Sequence, residues 1–409
     1  MMLFGFECKK IFRSAAFIVY CAISLLFFLT NYYSDCSDEA SMSDDTVAIE
    51  DHDLIMDGAT NSLMGDFASN RFVCYPYGFY KSVHLKEKKH DKVKEYLKEI
   101  TGTDDKGFEE LLATGEIYFE GFSTVELYEF HDIPVKEGFE YERFCEIMAD
   151  VDDMLGGGSI YVPENLMYSF SLVPMPAEEV KAEHDAFYDK DKITGGLARL
   201  FCDYAGICLA ILPVFAAAWL TAADKKRRMH ELVYTRDISS LRLVFTRYAA
   251  LLFTMFIPVA AEMLIALIQA LVVYRGESMD LLAFFKLPMI WLIPILMFTT
   301  AVGVLLTEVF SSPVAILAQV VIWFRAVIMT DFQLDGDIVK FTLVCRHNTP
   351  FEREVFLEGL DDFIFSRVFW TIVSLVIMLL AAVVYSAKRE GRFNGIRLFG
   401  KDSIFRRKA

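Results

Sequence analysis

Three groups of residues in this chain are of types that do chemistry. His230 and Glu231 begin an H-E-x-x pattern, which on a helix sets two histidines on one face to hold zinc, with the glutamate as general base. The fifth position is Tyr234, so the second histidine is missing. Gly156, Gly157 and Gly158 form a glycine run. No Lys-Ser/Thr follows it, and it ends an amphipathic stretch rather than opening one, so it reads as punctuation and not as a phosphate cradle. The third group is a pair of charges, Glu262 and Arg325, each inside an apolar stretch. No Walker A loop, G-x-S-x-G elbow or C-x-x-C pair occurs, and the seven histidines are scattered without ligand spacing. The chain itself is therefore expected to carry no catalytic, cofactor-binding or metal site.

The elements that must position these residues are membrane helices. Six apolar stretches, about 14–33, 200–222, 248–274, 287–307, 313–329 and 363–385, each approach the roughly 20 residues that a helix needs to cross a bilayer. Without water to satisfy the backbone, each must be helical. Only a few residues around Ser311 and Ser312 part the fourth and fifth, which makes them a tight helical hairpin. At about 1.5 Å per residue, Glu262 lies about 21 Å past Tyr248 and Arg325 about 18 Å past Pro313, both on spans of the same direction. The two are expected to pair or to face one wet cavity, since a lone charge at such depth is costly. Asp203 sits near the edge of the second span, within reach of headgroups. Pro213, Pro258, Pro288 and Pro294 interrupt spans and invite kinks.

Basic residues set the orientation. Lys9, Lys10 and Arg13 precede the first span. The loop 223–247 carries Lys225, Lys226, Arg227, Arg228, Arg236, Arg242 and Arg247, and the tail 386–409 is rich in Lys and Arg. Six spans put all three segments on one face, and basic flanks stay in the cytosol. Both termini are then cytosolic in a multi-pass protein of the cell membrane, and the tail suits anionic headgroups. A retained first span is favoured over a cleaved signal peptide, because no clear small-x-small site follows it.

Residues 34–198 fall outside, with a further outer loop at 330–362. Residues 34–198 hold 37 Asp and Glu against 14 Lys and Arg, a net charge of −23 compared with −16 for the whole chain. Such acidity argues against nucleic acid as a partner. It serves solubility, with attraction of a cationic peptide or an ion as the sharper alternative. Residues 34–70 read as a loose lead-in. Helices are expected from Leu85 to Ile100, from Asp104 to Ala113 and from Tyr141 to Leu155, and strand over 116–130. The fold class is thus a mainly α membrane protein, with six transmembrane helices and an α+β extracellular domain. Cys36, Cys74, Cys145 and Cys345 fall outside. Four such cysteines allow three disulfide pairings, and free thiols are equally open.

The loop 223–247 holds a short amphipathic helix around Met229, Leu232, Val233 and Arg236, whose apolar face must bury itself on the membrane or on a partner. With this loop in view, the layout resembles a type-2 ATP-binding-cassette (ABC) exporter permease of the bacterial kind with a large outer domain after its first span. The start Leu3-Phe4-Gly5-Phe6-Glu7-Cys8-Lys9-Lys10-Ile11-Phe12-Arg13 resembles that family's interfacial helix, and the 223–247 loop its coupling helix. The strings Phe201-Cys202-Asp203-Tyr204 and Arg346-His347-Asn348 are also similar to the family. The resemblance implies a second permease unit, homodimeric or heterodimeric, and two copies of a separate P-loop ATPase that binds Mg-ATP. It also implies that Met229, His230, Glu231, Leu232, Val233, Tyr234 and Thr235 dock on that ATPase. It implies no substrate. Two alternatives stay open: a membrane receptor or assembly anchor whose acidic domain binds a ligand without any ATPase, and a transenvelope coupler.

Overall fold

The computed structural model describes residues 2–40, 46–76, 80–119, 126–226, 234, 237–310, 314–331, 340–393 and 396. The chain divides into two compact units, Met1–Ser41 with Glu178–Ala409, and Met42–Ala177. The second unit is thus narrower than residues 34–198.

The chain opens with α1 (Met2–Phe12), α2 (Ala15–Thr30) and the short α3 (Tyr32–Asp35). Ser14 caps α2 by accepting from the Phe17 N–H.

The second unit follows: β1 (Thr46–Ala48), α4 (His52–Ser69), β2 (Phe72–Cys74), β3 (Lys81–Val83), α5 (Glu87–Thr101), α6 (Asp105–Leu112), β4 (Glu116–Phe119), β5 (Glu126–Glu129), α7 (Tyr141–Leu155), α8 (Leu166–Phe170) and β6 (Leu172–Pro174). Its described strands form three two-stranded antiparallel sheets, with Thr46 opposite Pro174, Phe72 opposite Val83 and Glu116 opposite Glu129. Its core gathers Phe72, Val93, Leu97, Phe108, Phe144 and Met148. The expected helices form, and Gly102 and Gly156 end α5 and α7 in the left-handed conformation that a C-cap requires. The loose lead-in expected over 34–70 is a different matter, because 18 of those residues build α4. That helix is buried around much of its circumference, at Ile55, Met56, Ala59, Thr60, Leu63, Met64, Gly65 and Phe67. A helix wrapped by neighbours shows no apolar stripe, so periodicity misses it.

The first unit resumes with α9 (Ala177–Asp185), α10 (Thr194–Leu209), α11 (Pro213–Lys226), α12 (Ser240–Val273), α13 (Ala283–Phe310), α14 (Val314–Asp331), α15 (Arg353–Glu358) and α16 (Leu360–Arg389). Among the described residues, five helical segments are long and apolar enough to cross a bilayer: Ala15–Asp35, Thr194–Ala223, Ser240–Val273, Ala283–Phe310 and Leu360–Arg389. Val314–Val327 is a shorter apolar helix. Helix α13 forms the axis and packs against α10, α11, α12, α14 and α16. A β-carbon on Gly303 would lie 2.8 Å from that of Ala217, so α11 and α13 meet through small residues.

The second apolar stretch is two helices rather than one. Pro213 has no N–H to continue the ladder, and the break falls at residues 210–212. Helix α14 satisfies carbonyls left at the break: Gln319 Nε2 donates to Ala210 O at 2.6 Å, and Trp323 Nε1 to Ile207 O at 3.0 Å. Pro258, Pro288 and Pro294, by contrast, lie inside continuous helices.

Candidate functional site

The densest buried polar constellation lies where α10 and α16 begin. Asp203 is 1% exposed. Its carboxylate accepts from the backbone N–H of His347 at 3.0 and 3.1 Å and from that of Asn348 at 2.7 Å. It does not extend towards headgroups, because folding the 340–352 loop over α10 leaves amides that need a buried acceptor. One turn earlier, Arg199 donates to Pro350 O at 3.1 Å and Phe351 O at 3.2 Å, and pairs with Asp191 Oδ2 at 2.6 Å. Asp191 Oδ1 takes Arg353 Nε at 3.1 Å, and the Arg199 guanidinium lies over the Phe356 ring. On α16, buried Arg367 donates to Thr342 O at 2.6 Å, Leu343 O at 3.0 Å, Cys345 Sγ at 3.1 Å and Trp291 O at 3.2 Å.

Three charged side chains thus clamp one loop through its backbone. Positive φ angles at non-glycine residues gather here: Lys192 at 53°, Ile193 at 63°, Asn348 at 61° and Glu352 at 54°. For a β-branched residue such as Ile193 this is strained backbone, which survives only where surrounding contacts fix it. His347 donates from Nε2 to Phe351 O at 2.9 Å. Burial first, and then the Arg199 charge, push its imidazole down to about 4, so the ring is neutral. Asp203 meets the backbone of His347 rather than its ring, so the two do not form an acid–base relay. The arrangement is a latch.

The opposite end of α16 and the helices beside it carry a second set of ties. Arg389 donates from Nε to Tyr234 O at 2.9 Å and from Nη1 to Ile238 O at 2.5 Å, and the Tyr234 and Tyr385 rings meet edge to face. Lys388 bonds Glu308 at the end of α13. Glu7 of α1, 2% exposed, pairs with Arg247 of α12 at 3.1 Å. Of the residues expected to dock on an ATPase, Tyr234 alone is described. Met229, His230, Glu231, Leu232, Val233 and Thr235 lie outside the described residues.

Glu262 and Arg325 are not brought together among the described contacts. Glu262 is 4% exposed and shares a crevice with Ser24 of α2. Arg325 occupies an exposed position on α14. All eight cysteines are free thiols. Cys74 is buried and donates weakly to Lys81 O and Leu155 O, while Cys36 and Cys345 are buried in the other unit and Cys145 is half-buried on α7.

Sequence reasoning reached Asp203, His347 and Asn348 without joining them, and it missed Arg199 and Arg367 altogether. The signal was present: each arginine borders or enters an apolar span, where a charge needs a buried partner.

These features define a multi-pass membrane protein in which α16 is tied at both ends by charged side chains, with a separate compact unit inserted after the first span. No protein-family model, no curated protein and no solved structure matches the chain.

Proposed function

We propose that this chain is the permease subunit of an ABC-type exporter. It crosses the membrane six times, with α14 as the fifth crossing. Both termini are cytosolic, and residues 34–198, an α+β domain, are outside. It works with a second permease unit and with two copies of a P-loop ATPase that holds Mg-ATP.

The observation that carries this reading is the tie of Arg389 to the carbonyls of Tyr234 and Ile238. A loop that only satisfied the positive-inside bias needs no such anchor. A loop that transmits force does, and this one is fixed to α16 at one end and continues into α12 at the other. Helix α1, held to α12 by Glu7 and Arg247, braces the same corner. The latch at Asp203, Arg199 and Arg367 suits the far gate of such a machine, because it binds a loop to α10 and α16 through bonds that move as a unit.

The test is co-purification from the native host in mild detergent, with and without Leu232→Asp and Val233→Asp. A stoichiometric P-loop ATPase that disappears in the double variant supports the reading. Clean recovery of the native chain without an ATPase rejects it in favour of a receptor or anchor.

A further inference from the structure

Glu262 sits in the middle third of α12, on the face packed against α2 and α10. It lines a narrow crevice with Ser24, Phe28, Phe201, Tyr204 and Cys208. The crevice has a volume of about 10 Å³, room for one water. The titratable groups that face it electrostatically are Tyr20 and Cys21 of α2 and Cys208 of α10. Tyr204 also lines the crevice, and its hydroxyl donates to Asp35 at the end of α3. All of these are neutral or acidic. Among the described residues no Lys, Arg or His pairs with Glu262, and the hydroxyl of Ser24 lines the crevice beside it.

A carboxylate in hydrocarbon without a counter-charge is poorly solvated, and such a group neutralises instead. The crevice is too small for a hydrated cation, and its side-chain oxygens, those of Ser24, Tyr204 and Glu262, are too few for a dehydrated one. We therefore infer that Glu262 is an intramembrane proton-binding site, protonated when α2, α10 and α12 are packed together and able to release its proton only when the crevice opens towards Tyr204 and Asp35. Proton occupancy then reports and biases the separation of α2 from α12. This inference is independent of the exporter reading, since any protein with this packing faces the same charge problem.

The experiment is infrared difference spectroscopy on the full-length protein in lipid, native against Glu262→Gln, over a pH series with and without sodium. The expected result is a protonated-carboxyl C=O stretch at neutral pH that is present in the native chain, absent from the variant and shifted by deuterium exchange. Ser24→Ala, which removes the hydroxyl beside Glu262 in the crevice and keeps the carboxyl, is expected to move that band. It carries the test if Glu262→Gln fails to fold. A native-minus-variant spectrum showing only ionised carboxylate bands at neutral pH overturns the inference. Loss of the acid band on adding sodium overturns it too, because the site would then hold a metal cation.

Discussion

Asp203 gives both carboxylate oxygens to backbone N–H groups of a loop that lies 144 residues further along the chain. Replacing it with Asn turns one acceptor into a donor aimed at those same N–H groups. Hydrogen bonds to a charged group are worth about 1.5–3 kcal/mol, so Asp203→Asn is expected to raise local opening of residues 340–352 by roughly 10- to 100-fold. Cys345, 1% exposed and bonded by Arg367, is the reporter. Its maleimide labelling, mapped by mass spectrometry, should rise in the variant, and an unchanged rate would mean that Arg199 and Arg367 hold the loop without Asp203. Asp66, in the second unit, is a different kind of buried acid. Burial pushes it up to about 7, against the Tyr161 hydroxyl that donates to it at 2.8 Å and the nearby Arg71. Its folded value thus lies above the ordinary 3.8. The stability it contributes is complete below about pH 4 and is lost as pH rises through about 7. Thermal melts of the second unit are expected to show stability falling over that window, and Asp66→Asn should flatten the fall.

Glycines show at the scale of elements how far context overrides propensity. Gly5 in α1 has open space where a β-carbon would go, so Gly5→Ala should follow the intrinsic rule and stabilise α1 by about 1 kcal/mol. Gly65 in α4 has the same helical setting, yet a β-carbon there would lie 2.5 Å from Tyr128 O. Gly65→Ala must push β5 away and is expected to cost about 1–3 kcal/mol, the opposite sign. Melting the two variants side by side checks both. The same contrast governs what was legible in advance. Helices α5 and α7 present one apolar face and end at glycines, so pattern and cap both announce them. Helix α4 is enclosed, and its Gly58 and Gly65 approach backbone carbonyls of Phe170 and Tyr128 that no local reading brings near. The apolar spans were legible because the bilayer imposes length and composition. The break in the second was only half legible: Pro213 signals it, but nothing local says that Gln319 and Trp323 will satisfy the carbonyls it frees. The pairing within the latch was illegible for the same reason: its buried charges are signalled in the sequence, but Asp203 finds its partners through the fold.

For the molecule as a whole, the question is whether the two tied ends of the helix bundle form one lever. Helix α16 carries Arg367 in the latch near its start and Arg389 against the Tyr234–Ile238 segment at its end. These positions lie 22 residues apart on one helix, about 33 Å at 1.5 Å per residue. A continuous helix of that length is stiff, so under the exporter reading displacement at Tyr234 and Ile238 would be carried to the loop clamped by Arg367 without local unfolding between them. The expected outcome of Arg389→Gln follows from this. It removes a charge and two bonds to carbonyls, each worth about 1.5–3 kcal/mol when charge-assisted, and leaves Leu232 and Val233 intact. Under the exporter reading the ATPase should therefore still co-purify. What should be lost is coupling: Cys345 labelling that differs between nucleotide-bound and nucleotide-free complexes in the native chain should become nucleotide-independent in the variant. Equal nucleotide dependence in both would place the transmission in α12, through the Glu7–Arg247 brace, and leave α16 as a passive wall.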